Sequence, residues 1–248
     1  MNEDENPSVT FRFRHGLSLV IWGLLGASML LAQSRRPENL GVGKLLVVPR
    51  QSPDPSFAET VVLLVHYAED GTVGLVINRQ TKLPVSSVLR DLKGSSKYSQ
   101  PVYAGGPVQL EVVQALLQSP AGPQDAAHLL GHVYLVSKKA DLEKAFMEGK
   151  GSRELRVYLG YCGWSRGQLE NEVNQGGWYI FDGSEGLVFD SNPSTLWSRM
   201  IARTELDIAR VQSRFDGRSL FGLSSSFTLS SSPREKWRMD SPWFLGVR

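Results

Sequence analysis

The stretch Gly160-Tyr161-Cys162-Gly163-Trp164-Ser165-Arg166-Gly167-Gln168-Leu169-Glu170 concentrates the residue types most able to do chemistry, including the chain's one cysteine. Gly160-x-Cys162-x-Trp164 has the outline of a nucleophile elbow, G-x-S-x-G at a strand-to-helix turn, with thiol in place of hydroxyl. Trp164 stands where the elbow needs a glycine for close backbone approach. A reactive thiol also needs a lowered pKa and a neighbouring base. His66, His128 and His132 are the bases on offer. The discriminating geometry is a Cys162 sulfur within hydrogen-bond reach of an imidazole nitrogen, in an open cleft. A small buried cysteine in an apolar slot is the simpler reading. His128 and His132 have the i, i+4 spacing of two metal ligands on a helix. Gly131 interrupts that helix and an apolar strand follows, so no metal site is expected. Gly105-Gly106-Pro107 has the outline of an anion-binding nest, but it lacks the Lys-Ser/Thr of a phosphate loop and reads as a turn.

The elements that would position these groups alternate in type. Gly43 to Pro49, Thr60 to Tyr67 and Thr72 to Arg79 read as strands, the last two joined across Asp70-Gly71 as an antiparallel hairpin. Their continuous apolar runs imply burial on both faces, with helices covering the sheet. Pro84 to Leu92 reads as a short helix ending at Gly94. Pro101 to Val108 reads as a strand broken by the glycines, and Leu110 to Gln118 leans towards helix. His132 to Val136 is a strand, and Ser137 is placed to cap a helix running to Glu148. Leu155 to Tyr161 and Gly177 to Phe181 are strands. Ser165 and Gln168 form an S-x-x-Q capping box, with Trp164 and Leu169 as its hydrophobic staple. Asn192-Pro193 opens a last helix, whose Leu196, Trp197, Met200 and Ile201 face the core.

Length and composition bound the rest. The chain has 248 residues, enough for one domain with extensions or for two small domains, and 27 basic against 25 acidic side chains. So even a balance offers no basic face for nucleic acid. One cysteine excludes an intrachain disulfide framework. Leu17 to Ala32 is uncharged and mostly apolar behind Arg12 and Arg14. It reads as a signal peptide cleaved after Ala32, or else as an N-terminal anchor. The expected organisation is an export segment over 1–32, a domain over 40–209, and a Ser-rich basic tail over 210–248 read as flexible.

Taken in order, these blocks resemble the AlgH/YqgE family, a bacterial group of uncharacterised α+β proteins. The resemblance rests on Leu45-Leu46-Val47-Val48-Pro49, Asp54-Pro55-Ser56-Phe57, Thr60-Val61-Val62-Leu63-Leu64, Asp70 to Arg79, Val102 to Val108, Gly160 to Glu170, and Val188-Phe189-Asp190 before Trp197. It covers Gly43 to about Arg203 and implies one α+β domain with a mixed, mostly antiparallel sheet and packed helices. It brings a legacy label of transcriptional regulator without a DNA-binding motif, and no catalytic residues or cofactor. The family usually has alanine at Cys162 and Gly-Pro-Gly at Ser165-Arg166-Gly167, and it is usually cytosolic, so the export segment and tail lie outside the resemblance. The expected function is a non-enzymatic binding or regulatory module, exported to the periplasm or held at the membrane by its N-terminal segment. Its partner is a protein or small molecule, with no metal, no cofactor and no nucleic acid. The candidate binding surface is Asn78, Arg79, Gly105, Gly106, Tyr161, Cys162, Gly163 and Trp164. The competing expectation is a hydrolase-type enzyme that uses Cys162.

Overall fold

The computed structural model describes residues 39–206 apart from position 53. The export segment and the Ser-rich tail therefore lie outside the described residues. Ten strands form one sheet: β1 (Lys44–Val47), β2 (Val61–Ala68), β3 (Gly71–Val76), β4 (Gln80–Pro84), β5 (Pro101–Ala104), β6 (Val108–Gln118), β7 (Ala127–Leu130), β8 (Val133–Val136), β9 (Leu155–Trp164) and β10 (Tyr179–Asp182). Their order is β10-β1-β2-β3-β9-β6-β8-β7, with β4 and β5 attached beside β9. Every pairing is antiparallel except β5 with β9. The helices are α1 (Val85–Val88), α2 (Lys139–Met147), α3 (Gln168–Asn174), α4 (Glu185–Val188) and α5, which covers 196–206.

The β2–β3 hairpin forms as its sequence dictates, with Ala68 opposite Gly71 and the positive φ on Gly71. Val61 to Val65 are all buried, as an apolar run covered on both faces must be. Leu196, Trp197, Met200 and Ile201 bury one face of α5 against the main core, where the Trp197 Nε1–H donates to the Val48 carbonyl at 2.8 Å. A second core lies on the other side of the sheet, where Leu142, Ala145 and Phe146 of α2 meet Ala115, Leu117, Leu155 and Val157.

Several local expectations are corrected. Leu110 to Gln118 is strand, not helix. Between β9 and β8 its Ala115, Leu116 and Leu117 are buried on both faces, so consecutive apolar residues replace the alternation that would have marked a strand. Ser137 does not cap α2; Lys138 holds the cap position and makes no side-chain cap bond. The Pro84 to Leu92 helix contracts to the single turn of α1. The capping box is half formed. Gln168 Oε1 accepts from the Ser165 N–H at 3.1 Å, but the serine hydroxyl donates to that same oxygen, and left-handed Gly167 (φ 75°) caps α3. His128 and His132 lie on the β7–β8 hairpin; β8 was expected as a strand, and its partner β7 was not foreseen.

The sheet curls until its ends meet. A Cβ built on Gly43, just before β1, would stand 2.8 Å from the Leu129 carbonyl oxygen in β7, and one on Gly183 would stand 2.7 Å from Leu130. Glu185, opening α4, fastens this seam. Its carboxylate accepts from the His132 N–H at 2.7 Å, from His132 Nδ1 at 3.0 Å and from Gln118 Nε2 at 2.7 Å. The His132 backbone bond, then the Gln118 and His132 side chains, hold the carboxyl below its ordinary range. A carboxyl lowered on folding stabilises the fold above its unfolded pKa, and that contribution disappears as pH falls through the folded value. Glu185→Gln is therefore expected to lower the urea midpoint at pH 7 and to flatten its decline below about pH 4.5. Urea titrations of both proteins between pH 7 and pH 3 check this.

Candidate functional site

β5 and β6 lie on opposite edges of β9, yet only Gly105-Gly106-Pro107 joins them. The chain must therefore cross over β9, and it does so backbone against backbone. The Gly105 N–H donates to the Leu159 carbonyl and the Gly105 carbonyl accepts from the Val76 N–H, both at 2.8 Å. A Cβ on Gly105 would stand 2.4 Å from the Gly160 oxygen, and one on Gly106 2.1 Å from the Tyr161 carbonyl carbon. Gly160, at φ 68°, would meet the Gly106 oxygen at 2.6 Å. The crossing accounts for all three glycines without a ligand.

Cys162 lies beneath this crossing, 1% exposed, its Sγ donating to the Gly105 carbonyl at 3.6 Å. Burial pushes the thiol up to about 12, with the Arg79 charge opposing weakly. The described histidines are engaged elsewhere: His66 with Asp70, His128 with the Gly131 carbonyl, and His132 with Glu185. No hydrogen bond joins the thiol to an imidazole among the described residues, and the side chain is buried rather than open to solvent. The thiol-enzyme reading thus loses both of its requirements. Cys162→Ala is expected to fold with a stability change within about 1 kcal/mol. In the parent, a thiol reagent should label the native protein at least tenfold more slowly than the urea-unfolded chain, on the order of its opening equilibrium. Rapid labelling of native protein at neutral pH would overturn this.

The other candidate residues divide into anchors and rim. Asn78 is buried, its Oδ1 accepting from the Val61 N–H and its Nδ2 donating to the Glu59 carbonyl, both at 2.9 Å. Arg79 donates to the carbonyls of Ser56 (2.7 Å) and Ala58 (2.8 Å). Together they fasten the 56–61 segment and not the Tyr161 rim. Trp164 is buried, and its Nε1 donates to Glu172 Oε2 at 2.9 Å. Trp178 donates to the same oxygen at 2.8 Å, and Gln168 Nε2 to Oε1 at 3.0 Å. The two indoles meet edge to face at 6.0 Å, with Phe57 against Trp178 at 5.6 Å. Glu172 was not singled out from sequence; two tryptophans close by, each needing an acceptor when buried, were its signal.

What faces solvent around the crossing is Pro107 just before β6, Gln109, Leu110 and Glu111 from β6, and Gly163 with Ser165 and Arg166 from β9 and the turn after it. The β6–β9 register slips between Val108 and Val113, so these β6 residues form a bulge. Gln109 sits at φ 45° there and Leu110 is 63% exposed. Tyr161, nearly buried, lies beside this bulge; burial first, then the nearby Glu111 carboxylate, raises its phenol.

A second polar cluster escaped sequence reading. Arg156 is 5% exposed and donates to the carbonyls of Val188 (3.0 Å) and Asp190, with its guanidinium 5.2 Å from the Tyr103 ring centroid and 5.4 Å from that of Phe189. It ties the Val188–Asp190 segment to the centre of the sheet. Among the described residues no group of three or more His, Cys, Asp or Glu could hold a metal ion, and no helix is long and apolar enough to cross a membrane.

One domain with a curled, mostly antiparallel sheet and packed helices defines an α+β protein, and comparison with known proteins places it. A family model described as AlgH-like matches residues 45–209. A UPF0301 protein of Streptomyces avermitilis is 33% identical over 184 residues, 72% of this chain and 94% of the relative. Another from Thermobifida fusca is 35% identical over 186 residues, 68% of this chain and 89% of the relative. The solution structure of the AlgH protein from Pseudomonas aeruginosa aligns with TM-score 0.55 and 30% identity, covering 68% of this chain and 92% of that one. A crystal structure of a Corynebacterium diphtheriae protein, at 21% identity and TM-score 0.56, covers 66% of this chain and 88% of its own and shares the fold. The chain belongs to the AlgH-like family, whose function is uncharacterised.

Proposed function

We propose that the chain is a non-enzymatic binding or regulatory module that engages a protein or small-molecule partner through the rim where the β6 bulge meets Tyr161 and Gly163. The observation that carries this reading is Gln109 held at φ 45° beside a 63% exposed Leu110. A left-handed non-glycine residue costs on the order of 1–3 kcal/mol, and such residues cluster at binding sites. Bulges likewise re-aim side chains beside functional surfaces. The glycines, Cys162 and Trp164 act beneath this rim as its frame. The near-neutral charge argues against nucleic acid as the partner. The apolar run before the domain supports export, with the working rim facing the envelope.

Affinity capture from envelope extract tests the reading with three proteins: parent, Leu110→Asp, and Leu83→Asp, a control at another exposed leucine (52%). Leu110→Asp is expected to lose its partner about tenfold or more, as for a buried apolar anchor, while Leu83→Asp retains it. Identical partner sets for all three would refute the rim, and turnover in an activity screen would refute the class. N-terminal sequencing of the same preparation is expected to read Gln33 or a close neighbour, and an intact Met1 in a soluble fraction would refute export.

A further inference from the structure

The backbone groups of β6 point alternately to its two neighbours. The Gln118 N–H donates to the Glu154 carbonyl at 2.7 Å, which turns Gln118, Leu116 and Gln114 towards β9 and Leu117, Ala115 and Val113 towards β8. In agreement, the carbonyl of Leu159, the residue opposite Val113, is taken by the Gly105 N–H on the far side of β9. But β8 ends at Val136, opposite Ala115, and the chain then turns into α2. The Val113 N–H and carbonyl therefore face an open edge, with no hydrogen-bond partner among the described residues. Beside them opens a groove of about 300 Å³, whose walls include Val113, Leu89, Leu92 and Leu142, with Asp91 and Lys139 as its charged residues. Lys139 faces Glu143 at 4.0 Å, whereas the exposed Asp91 has no ion pair among the described residues.

We propose that this edge binds an extended peptide of a partner protein, laid antiparallel to β6 as a continuation of the β8 ladder, with an apolar side chain in the groove and a lysine or arginine beside Asp91. A strand added to an open edge satisfies the Val113 N–H and carbonyl through its own main chain, while its alternate side chains decide which peptide fits. The period of two sends every second peptide side chain to the groove face. Leu89, Leu92 and Leu142 receive an apolar group there. The carboxylate without a counter-charge then selects a cation two positions along. A second copy of this chain does not meet these terms. Two β6 edges paired antiparallel about Val113 overlap only from Val112 to Gln114 before each copy's own β8 stands in the way. Nor does β6 carry a lysine or arginine to set beside Asp91. The groove is separate from the proposed rim, since neither Leu110 nor Tyr161 lines it, so either reading can fail alone.

A random library of short peptides, panned against the full chain, tests this. The bound peptides are expected to share an apolar residue with a lysine or arginine two positions away. Asp91→Lys, an exposed change, is expected to bind the tightest of them about tenfold more weakly. Panned afresh, that variant should select glutamate or aspartate where the parent selects a cation. N-methylating the peptide nitrogen that meets the Val113 carbonyl is expected to cost about tenfold as well. Amide shifts of the parent on binding should centre on Val113 and Leu92. No enriched peptide, an unchanged preference in Asp91→Lys, or full binding by the N-methylated peptide would overturn the proposal. Shifts centred on Leu110 and Tyr161 would place the peptide on the rim. Protection of the Val113 amide that rises with protein concentration alone would assign the edge to a second copy. Either of these would also overturn it.

Discussion

Gly106→Ala is expected to leave the chain unable to hold its native fold at 37 °C. The added methyl would stand 2.1 Å from the Tyr161 carbonyl carbon, 2.3 Å from its oxygen and 2.5 Å from the Cys162 nitrogen. All three atoms are backbone of β9, which is held by β6 on one edge and by β3 and β5 on the other, so no side-chain rotation relieves the overlap. The expected loss exceeds about 4 kcal/mol, the range reserved for a named structural defect and a large share of the 5–15 kcal/mol that stabilises a typical domain. Gly186→Ala is the matched control: nothing lies within 4 Å of its added methyl and it sits inside α4. It is expected to be neutral or to stabilise by up to about 1 kcal/mol. Urea unfolding followed by tryptophan fluorescence separates the two outcomes, and a Gly106→Ala protein with parental stability would remove the backbone crossing as the reason for these glycines.

The second large effect is expected at Arg156. Arg156→Leu keeps an apolar stem but strands the Val188 and Asp190 carbonyls, and each buried acceptor left unmatched costs about 1–3 kcal/mol. Contacts to the Tyr103 and Phe189 rings go as well. A loss of about 3 kcal/mol, or about 10 °C in melting temperature, is the expected result. Arg156→Lys should recover little of it, because one ammonium cannot span two carbonyls and lie flat between two rings as a planar guanidinium does. Thermal melts of the three proteins decide, and recovery by lysine would mean that charge alone matters at this position.

Both effects lie in residues whose importance was unequally legible. The glycine pair at 105–106 and Gly160 stood out as a pattern, and the family resemblance read from the ordered blocks holds. Their purpose was not legible, because two segments some fifty residues apart come into backbone contact only when β5 and β6 take opposite edges of β9. Arg156 gave no local sign: in Leu155-Arg156-Val157-Tyr158 it looks like the solvent-facing residue of an alternating strand. The covering segment that buries it, Val188 to Asp190, arrives from far along the chain.

By itself the sequence determined what local physics can write: the β2–β3 hairpin from its Asp-Gly turn, the apolar runs that demand a two-faced sheet, the apolar stripe of α5, and the α+β class that follows. It also determined that a single cysteine with Trp164 at the place of the elbow's second glycine is poor ground for a nucleophile elbow. Tertiary structure alone decided that 108–118 is a strand, since burial between β9 and β8 overrides a spacing that suits a helix equally well. It decided that Cys162 is buried against the Gly105 carbonyl while the described histidines bond elsewhere, because depth and neighbours are properties of the folded sheet and not of spacing. It decided too that Asn78 and Arg79 act as loop anchors while the solvent-facing rim passes to the bulge of β6. A register slip between strands is a relation between two segments, and neither segment carries it alone.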